Sequence, residues 1–329
     1  MTSAIPQKSK PLPEGIYCPV ISIYKSTPRQ EIDLDASYNF FSYLIRAGID
    51  GLVLAGTTAE AVLLSPAERQ DLLRVARKAA DDLGLKEYPL VAGISGQSTN
   101  ETIRLAHEAQ NAGADYGLLL PPNYWAGAVN KDVILGFYRE VADNSGIPIV
   151  IYSFPAVCNG IDMNSDILSE LAQHPNIVGV KLTCGNAGKV TRLTQEYTSS
   201  QFAVHAGSSD WLLPCLIGGG AGCVTGIANI FPKSVTRLND LWNDVRMNIN
   251  ESRKLQGLIA QAEKACKQGI ACTKYGTDFF LGRKIGINDE QAFWPRRPYK
   301  PCTKETQDWV VGVMEHLVEI EHSLQMKYV

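Results

Sequence analysis

No two of the eight cysteines form a CxxC pair, and the five histidines do not cluster beside them. Metal sites built from Cys and His need such spacings, so this pattern excludes the common zinc frameworks. Cys18, Cys158, Cys184, Cys215, Cys223, Cys266, Cys272 and Cys302 are scattered along 329 residues, which reads as reduced thiols in a cytoplasmic protein. Cys158 and Cys184 lie near strand-end motifs, but as small apolar residues they need no chemical role. Excess positive charge is absent too: the formal charge is -3, so no basic field invites nucleic acid or an anionic membrane. The longest apolar runs, such as Ile147–Tyr152, fall far short of the ~20 residues of a membrane span. Residues 1–13 contain three Pro and two Lys and no apolar h-region, so residues 1–14 read as a disordered lead-in, not a secretory signal. Neither GxGxxG after the first strand nor a Walker A motif occurs, which weighs against an open nucleotide-binding sheet.

What is present is a rhythm. Short apolar runs alternate with longer helical patterns. The runs are Ile16–Tyr24 (broken by Pro19), Gly51–Ala55, Pro89–Gly93, Asp115–Leu120, Pro148–Tyr152, Ile177–Leu182, Phe202–Ala206 and Gly222–Thr225. They are continuous, not alternating, so both faces of each strand are expected to be buried. Helix starts are marked between them; Ser65-Pro66-Ala67-Glu68 carries a cap, a first-turn proline and a glutamate at the third position. Helices are also expected over Asp210–Ile217 and Phe231–Val245. Eight βα units predict an α/β fold, a (β/α)8 TIM barrel over residues 15–248, with an open doubly wound sheet as the rival. After Asn248 the alternation stops. Glu251–Lys267, Ile270–Leu281 and Lys304–Leu324 predict a C-terminal helical extension, residues 249–329, packed on the barrel in a structural or oligomeric role.

Barrel active sites sit where the strands end. Strand six ends Val180-Lys181-Leu182-Thr183, which puts Lys181 and Thr183 on one face. A lysine ending a buried strand is either paired or does chemistry as the free amine. Other strand ends supply Gly56-Thr57-Thr58, Asn123-Tyr124-Trp125, Tyr152-Ser153-Phe154-Pro155, Gly207-Ser208-Ser209-Asp210 and Val224-Thr225-Gly226. No His or carboxylate pair converges there, so a Ser/His/Asp triad and metal-assisted hydrolysis lack their parts. A buried amine beside a phenol suits Schiff-base chemistry on a carbonyl. Each residue also has a plainer use. Gly56-Thr57-Thr58 serves as an anion cradle or as a helix-capping turn. Tyr152 serves as a core aromatic, Tyr124 as a surface loop residue, and Ser208-Ser209-Asp210 as a helix cap.

Gly56-Thr57-Thr58-Ala59-Glu60, Tyr152-Ser153-Phe154-Pro155 and Gly179-Val180-Lys181 resemble the three signatures of the dihydrodipicolinate synthase/N-acetylneuraminate lyase family, in order and spacing, from about Gly15 to Pro301. The resemblance implies a barrel with a helical C-terminal region, a homo-oligomer (tetramer or dimer), no cofactor, and a small-molecule 2-oxo acid substrate held as an imine. By the same resemblance Lys181 is the imine-forming lysine and Tyr152 the proton-transferring tyrosine. Thr57 and Thr58 hold the substrate carboxylate, with Thr58 also in a hydroxyl relay. Tyr124 is the relay tyrosine that reaches a neighbouring subunit, and Gly207 and Val224 line the pocket.

The departures bear on substrate. Synthase members carry an arginine shortly after the tyrosine–proline motif; here the segment is Pro155-Ala156-Val157-Cys158-Asn159-Gly160. Without that cation a second-substrate carboxylate loses its charge-assisted contact. Thr183 instead resembles the lyases and sugar-acid aldolases, and Ser208, Ser209 and Asp210 extend its polar wall. IYSFPAVCNG and GVKLTCGN are most similar to the L-threo-3-deoxy-hexulosonate (2-keto-3-deoxy-L-galactonate) aldolases of the family. The expected function is a class I aldolase that cleaves a 2-keto-3-deoxy sugar acid to pyruvate and an aldehyde. A 4-hydroxy-2-oxoglutarate aldolase is the nearest alternative. Its second carboxylate wants a cation near Ser208–Asp210, and the sequence shows none there. A sugar-acid dehydratase, a dihydrodipicolinate synthase and a non-catalytic 2-oxo-acid-binding barrel follow.

Overall fold

All eight strands are parallel: β1 (Gly15–Pro19), β2 (Gly51–Leu54), β3 (Leu90–Gly93), β4 (Tyr116–Leu119), β5 (Ile149–Ser153), β6 (Ile177–Leu182), β7 (Ala203–Ala206) and β8 (Gly222–Val224). They pair in chain order and close through β1 and β8. The computed structural model describes residues 8–244 and 248–328. Seven helices link or follow the first strands: α1 (Leu34–Arg46), α2 (Pro66–Asp82), α3 (Thr99–Asn111), α4 (Lys131–Asn144), α5 (Ser165–Ala172), α6 (Ala187–Glu196) and α7 (Leu212–Ile217); α8 (Pro232–Asn243) follows β8. This is the expected (β/α)8 barrel with C-terminal helices, and the open sheet is excluded by closure.

Local chemistry sets the helix starts. Ser65 and Glu68 form the capping box of α2. Ser98, Asn130, Asn164 and Asn186 each accept an amide from three residues on, opening α3 to α6. Each such cap contributes ~1 kcal/mol. Val53, Val91, Leu118, Val150 and Val178 fill the barrel interior, while the outward strand faces join the helices in the larger core.

One irregularity positions the site. β5 and β6 pair Ile149 with Ile177 but Val150 with Gly179, so Val178 is an extra residue in β6. The shift carries through to the strand ends, where Tyr152 lies opposite Lys181. A uniform ladder would set Tyr152 beside Val180, whose side chain faces the helices. Gly179 follows the bulge because a Cβ there would stand 2.6 Å from the Ala203 carbonyl.

Several expectations change. The expected disordered lead-in is ordered over residues 8–14. The Ser9 amide donates to Pro175 O at 2.9 Å, Tyr116 donates to Pro11 O at 3.1 Å and Tyr17 to Pro13 O at 2.9 Å. Leu12 enters the barrel interior, 2% exposed, so this segment closes the floor opposite the strand ends. Residues 1–7, and Val245 of the expected last barrel helix, lie outside the described residues. Ser209–Trp211 is a 3-10 turn, and α7 starts only at Leu212.

The C-terminal helices are α9 (Ile249–Gln268), α10 (Ile270–Leu281), α11 (Lys304–Met314) and α12 (Val318–Ser323). The expected single helix from Lys304 is interrupted by a 3-10 turn, Glu315–Leu317. These helices are tied to the barrel by buried polar contacts. Glu321 of α12 accepts the Lys233 and Ser234 amides at 3.1 and 2.8 Å, a carboxylate at the open N-terminus of α8.

Candidate active site

Lys181 is the next-to-last residue of β6 and 4% exposed. Its Nζ stands 4.2 Å from the centroid of the Tyr152 ring. Tyr152 is also 4% exposed, and its ring packs on Phe154 at 5.7 Å. No carboxylate pairs with Lys181 among the described residues. Lys181 thus faces an aromatic ring, with no carboxylate partner among the described residues. Opposite it on β7, His205 is buried against Tyr17, and burial lowers its pKa to about 4.

The Gly56-Thr57-Thr58 turn follows β2. Ala55 (φ 49°) and Glu60 (φ 58°) are both left-handed and turn the chain sharply at each end. Glu60 N donates back to Thr57 O at 3.0 Å and Ala61 N to Gly56 O at 3.2 Å. Neither the Thr57 nor the Thr58 amide donates to another group among the described residues. Two free amides on one turn suit a carboxylate. The turn is held from behind. Ser22 donates to Ala59 O at 2.7 Å. Glu60 receives the Tyr24 hydroxyl at 2.7 Å, the Arg296 amide at 2.9 Å and the Lys274 ammonium at 3.2 Å. Lys274 comes from α10, and burial lowers its pKa to about 8 against the opposing pull of Glu60. Burial, then the Glu60 charge, push the Tyr24 phenol well up.

On the other side, Thr183 Oγ1 is buried with no partner among the described residues. Gly207 faces it so closely that a Cβ would lie 2.0 Å from that oxygen. Ser208 donates to Asp210 at 2.7 Å, and Asp210 also pairs with Lys267 of α9. A cation does stand near Ser208–Asp210, contrary to expectation, but a carboxylate already holds it. Ser209 points away from the mouth: its hydroxyl donates to Glu263 of α9 at 2.5 Å, as Thr225 does at 2.7 Å. Glu263 is wholly buried, and burial raises its pKa to about 7 despite these two donors. Val224 is 2% exposed in the inner cluster. Tyr124 is 75% exposed beside Trp125, outside the mouth of its own barrel.

A cavity of about 620 Å3 opens beside Tyr152 and Thr57. Its polar lining includes Ser95, Gln97 and Asn123, together with Arg69, Tyr299 and Lys300. Gln97 accepts the Asn123 and Tyr124 amides, both at 3.0 Å, and so shapes the loop after β4. Arg69 is committed to Ala61 O at 2.7 Å. Gly269, Ile270, Ala271, Pro295, Tyr299 and Lys300 add walls from the C-terminal region, which had been given only a structural or oligomeric part. Sequence reasoning missed Glu60 as a site residue although it stands in the quoted motif. It missed Lys274, Glu263 and Gln97 because no local signal marks them.

A closed parallel barrel with a buried lysine facing a tyrosine at its strand ends defines the structural class. Comparison with known proteins narrows it. Residues 13–317 match the model of the dihydrodipicolinate synthetase family, and the chain belongs to that family. A Coccidioides immitis relative named as a candidate mitochondrial 4-hydroxy-2-oxoglutarate aldolase is 40% identical over 94% of this chain and 97% of its own. The L-threo-3-deoxy-hexylosonate aldolase of Aspergillus niger is 32% identical over 95% and 98%. A crystal structure of a dihydrodipicolinate synthase family protein from Coccidioides immitis superposes with TM-score 0.86 at 36% identity, covering 98% and 100%. The protein is a carbon–carbon lyase of this family.

Proposed function

We propose that this protein is a class I aldolase that cleaves a 2-keto-3-deoxy sugar acid into pyruvate and an aldehyde through an imine on Lys181. The observation that carries the reading is the Lys181 amine held over the Tyr152 ring, with no carboxylate paired to it among the described residues. The amine adds to the C2 carbonyl and loses water. Thr57 and Thr58 amides hold the C1 carboxylate. Tyr152 takes the proton of the C4 hydroxyl, through Thr58 and the Tyr124 of a neighbouring chain, as the C3–C4 bond breaks. The bond's electrons enter the imine, giving an enamine and releasing the aldehyde. Protonation at C3 and addition of water then free pyruvate and Lys181. In this reading Thr183, whose hydroxyl has no partner among the described residues, and Ser208 bond substrate hydroxyls.

A second reading is 4-hydroxy-2-oxoglutarate cleavage. It is supported by the name of the Coccidioides relative and by Lys300, a cation among the cavity's lining residues. The two substrates share the reacting carbons, so one lysine and one tyrosine serve both. The cavity's size and its Ser95, Gln97 and Asn123 wall support the longer, hydroxylated acid.

An exposed Tyr124 that reaches a second chain requires a homo-oligomer, a tetramer or a dimer. A cytoplasmic location fits the free thiols, but these fit the mitochondrial matrix equally, and the Coccidioides relative's name says mitochondrial. Cell fractionation separates the two. Within the chain, residues 249–329 are taken as a helical extension of the barrel at 15–248.

Borohydride reduction with pyruvate, read by peptide mass spectrometry, tests the mechanism. A pyruvate adduct on Lys181 is expected; unmodified Lys181 in active enzyme would overturn it. Release of pyruvate from a panel of 2-keto-3-deoxy acids and 4-hydroxy-2-oxoglutarate, with the aldehyde identified, then separates the substrates.

A further inference from the structure

Two cysteines outside the reacting centre lie together. Cys272, in the first turn of α10, and Cys302, just before α11, have their sulfurs 3.5 Å apart, the chain between them looping out through 30 positions. They flank the outer wall of the large cavity. Ala271, next to Cys272, lines that cavity, as do Pro295, Tyr299 and Lys300 of the segment that leads to Cys302. A second cavity of about 200 Å3 lies behind this wall; Cys302 lines it, and Ala271 and Pro295 belong to both. The remaining cysteines have no sulfur within bonding reach of another among the described residues.

We propose that Cys272 and Cys302 form a reversible dithiol–disulfide site that, when oxidised by a peroxide, fastens the start of α10 to the 294–302 segment and stiffens the cavity's outer wall. A small peroxide fits the space that Cys302 lines. The Cys272 and Cys302 sulfurs lie within hydrogen-bond distance and either can donate, so each thiol supports a thiolate on the other. The Cys302 thiolate, which faces the cavity, attacks the peroxide. The O–O bond breaks, leaving a sulfenic acid on Cys302 and one water after proton uptake. The Cys272 sulfur then displaces the second oxygen as water, and the S–S bond forms. Two thiols are oxidised and one peroxide is reduced to two waters. The sulfurs must close by about 1.5 Å to reach the ~2.05 Å of a disulfide.

The tests need no knowledge of the substrate. The full-length protein is treated with hydrogen peroxide, alkylated and mapped by mass spectrometry, and amide hydrogen exchange is measured before and after. A Cys272–Cys302 cross-linked peptide that dithiothreitol removes is expected. Exchange across 269–273 and 294–302 should slow by about fivefold or more in the oxidised wild type. Cys302→Ser and Cys272→Ser should each abolish both effects; either variant suffices if the other does not fold. Persisting thiols, a cross-link between other cysteines, or sulfinic acid without the cross-link would overturn the site. A cross-link that leaves exchange unchanged would overturn its hold on the wall.

Discussion

Glu60 and Lys274 meet at 3.2 Å with side chains 3% and 0% exposed, one from the turn after β2 and the other from α10. The pair joins the proposed carboxylate cradle to the C-terminal helices. Removing one partner strands the other charge out of water, which costs ~3–5 kcal/mol, whereas removing both is far milder. Lys274→Met should therefore lower the chemical-denaturation stability by an amount in that range. Glu60→Gln combined with Lys274→Met should recover more than half of the loss. If the single and double variants are equally destabilised, the two charges do not act as a pair.

Thr183 and Gly207 make a second prediction. The Thr183 hydroxyl is buried without a partner among the described residues, so Thr183→Val removes an unsatisfied polar group and should change stability by less than ~1 kcal/mol. If that hydroxyl serves the substrate, KM for the cleaved acid should rise about tenfold, equivalent to ~1.4 kcal/mol, with the borohydride-trapped adduct on Lys181 preserved. Gly207→Ala acts otherwise. Its Cβ would meet Thr183 Cα at 2.5 Å as well as the hydroxyl, so overpacking should cost ~1–3 kcal/mol of stability. Calorimetry and steady-state kinetics on the two variants separate these effects.

The barrel was legible because its strands are continuous apolar runs between capped helices, and Lys181 stood out because it ends such a run. The facing of Lys181 and Tyr152 was not derivable from the runs themselves. It depends on one extra residue in β6, and Ile177-Val178-Gly179-Val180 is equally apolar in either register. Glu60–Lys274 was hidden for a different reason. The single lysine of α10 carries no mark of burial until the C-terminal helices are docked. Ser209 reads as part of a mouth-facing polar wall, but a 3-10 turn rotates its hydroxyl toward Glu263. Leu12 was placed in a disordered stretch because prolines surround it, yet the open barrel floor supplies an apolar site for it.

Tyr124 gives a prediction about assembly. Its side chain lies largely in solvent, so Tyr124→Phe should alter stability by less than ~0.5 kcal/mol. If its hydroxyl completes a proton relay in another chain, kcat should fall by ~10²-fold or more while the oligomer, sized by light scattering, persists. Mixed oligomers with a Tyr152→Phe variant should regain activity, because both defects then fall in one shared site and leave the other site intact. Recovery only in proportion to residual homo-oligomer activity would place Tyr124 outside any shared site.

Glu263 makes the pH prediction. Burial raises its pKa from the usual 4.5 to about 7, so the native state binds this proton more tightly than the unfolded chain does. Its contribution to stability is complete below pH 4.5, falls as pH rises toward 7, and is lost above it. Integrated over that window the loss is up to about 3 kcal/mol at 1.36 kcal/mol per pH unit. Glu263→Gln keeps an acceptor for the Ser209 and Thr225 hydroxyls and abolishes the titration. The variant should gain stability relative to the wild type between pH 5 and pH 7.5, measured by urea denaturation at fixed ionic strength. A pH-independent difference would mean that Glu263 has the same proton affinity folded and unfolded, with water reaching the carboxylate behind β7 and β8.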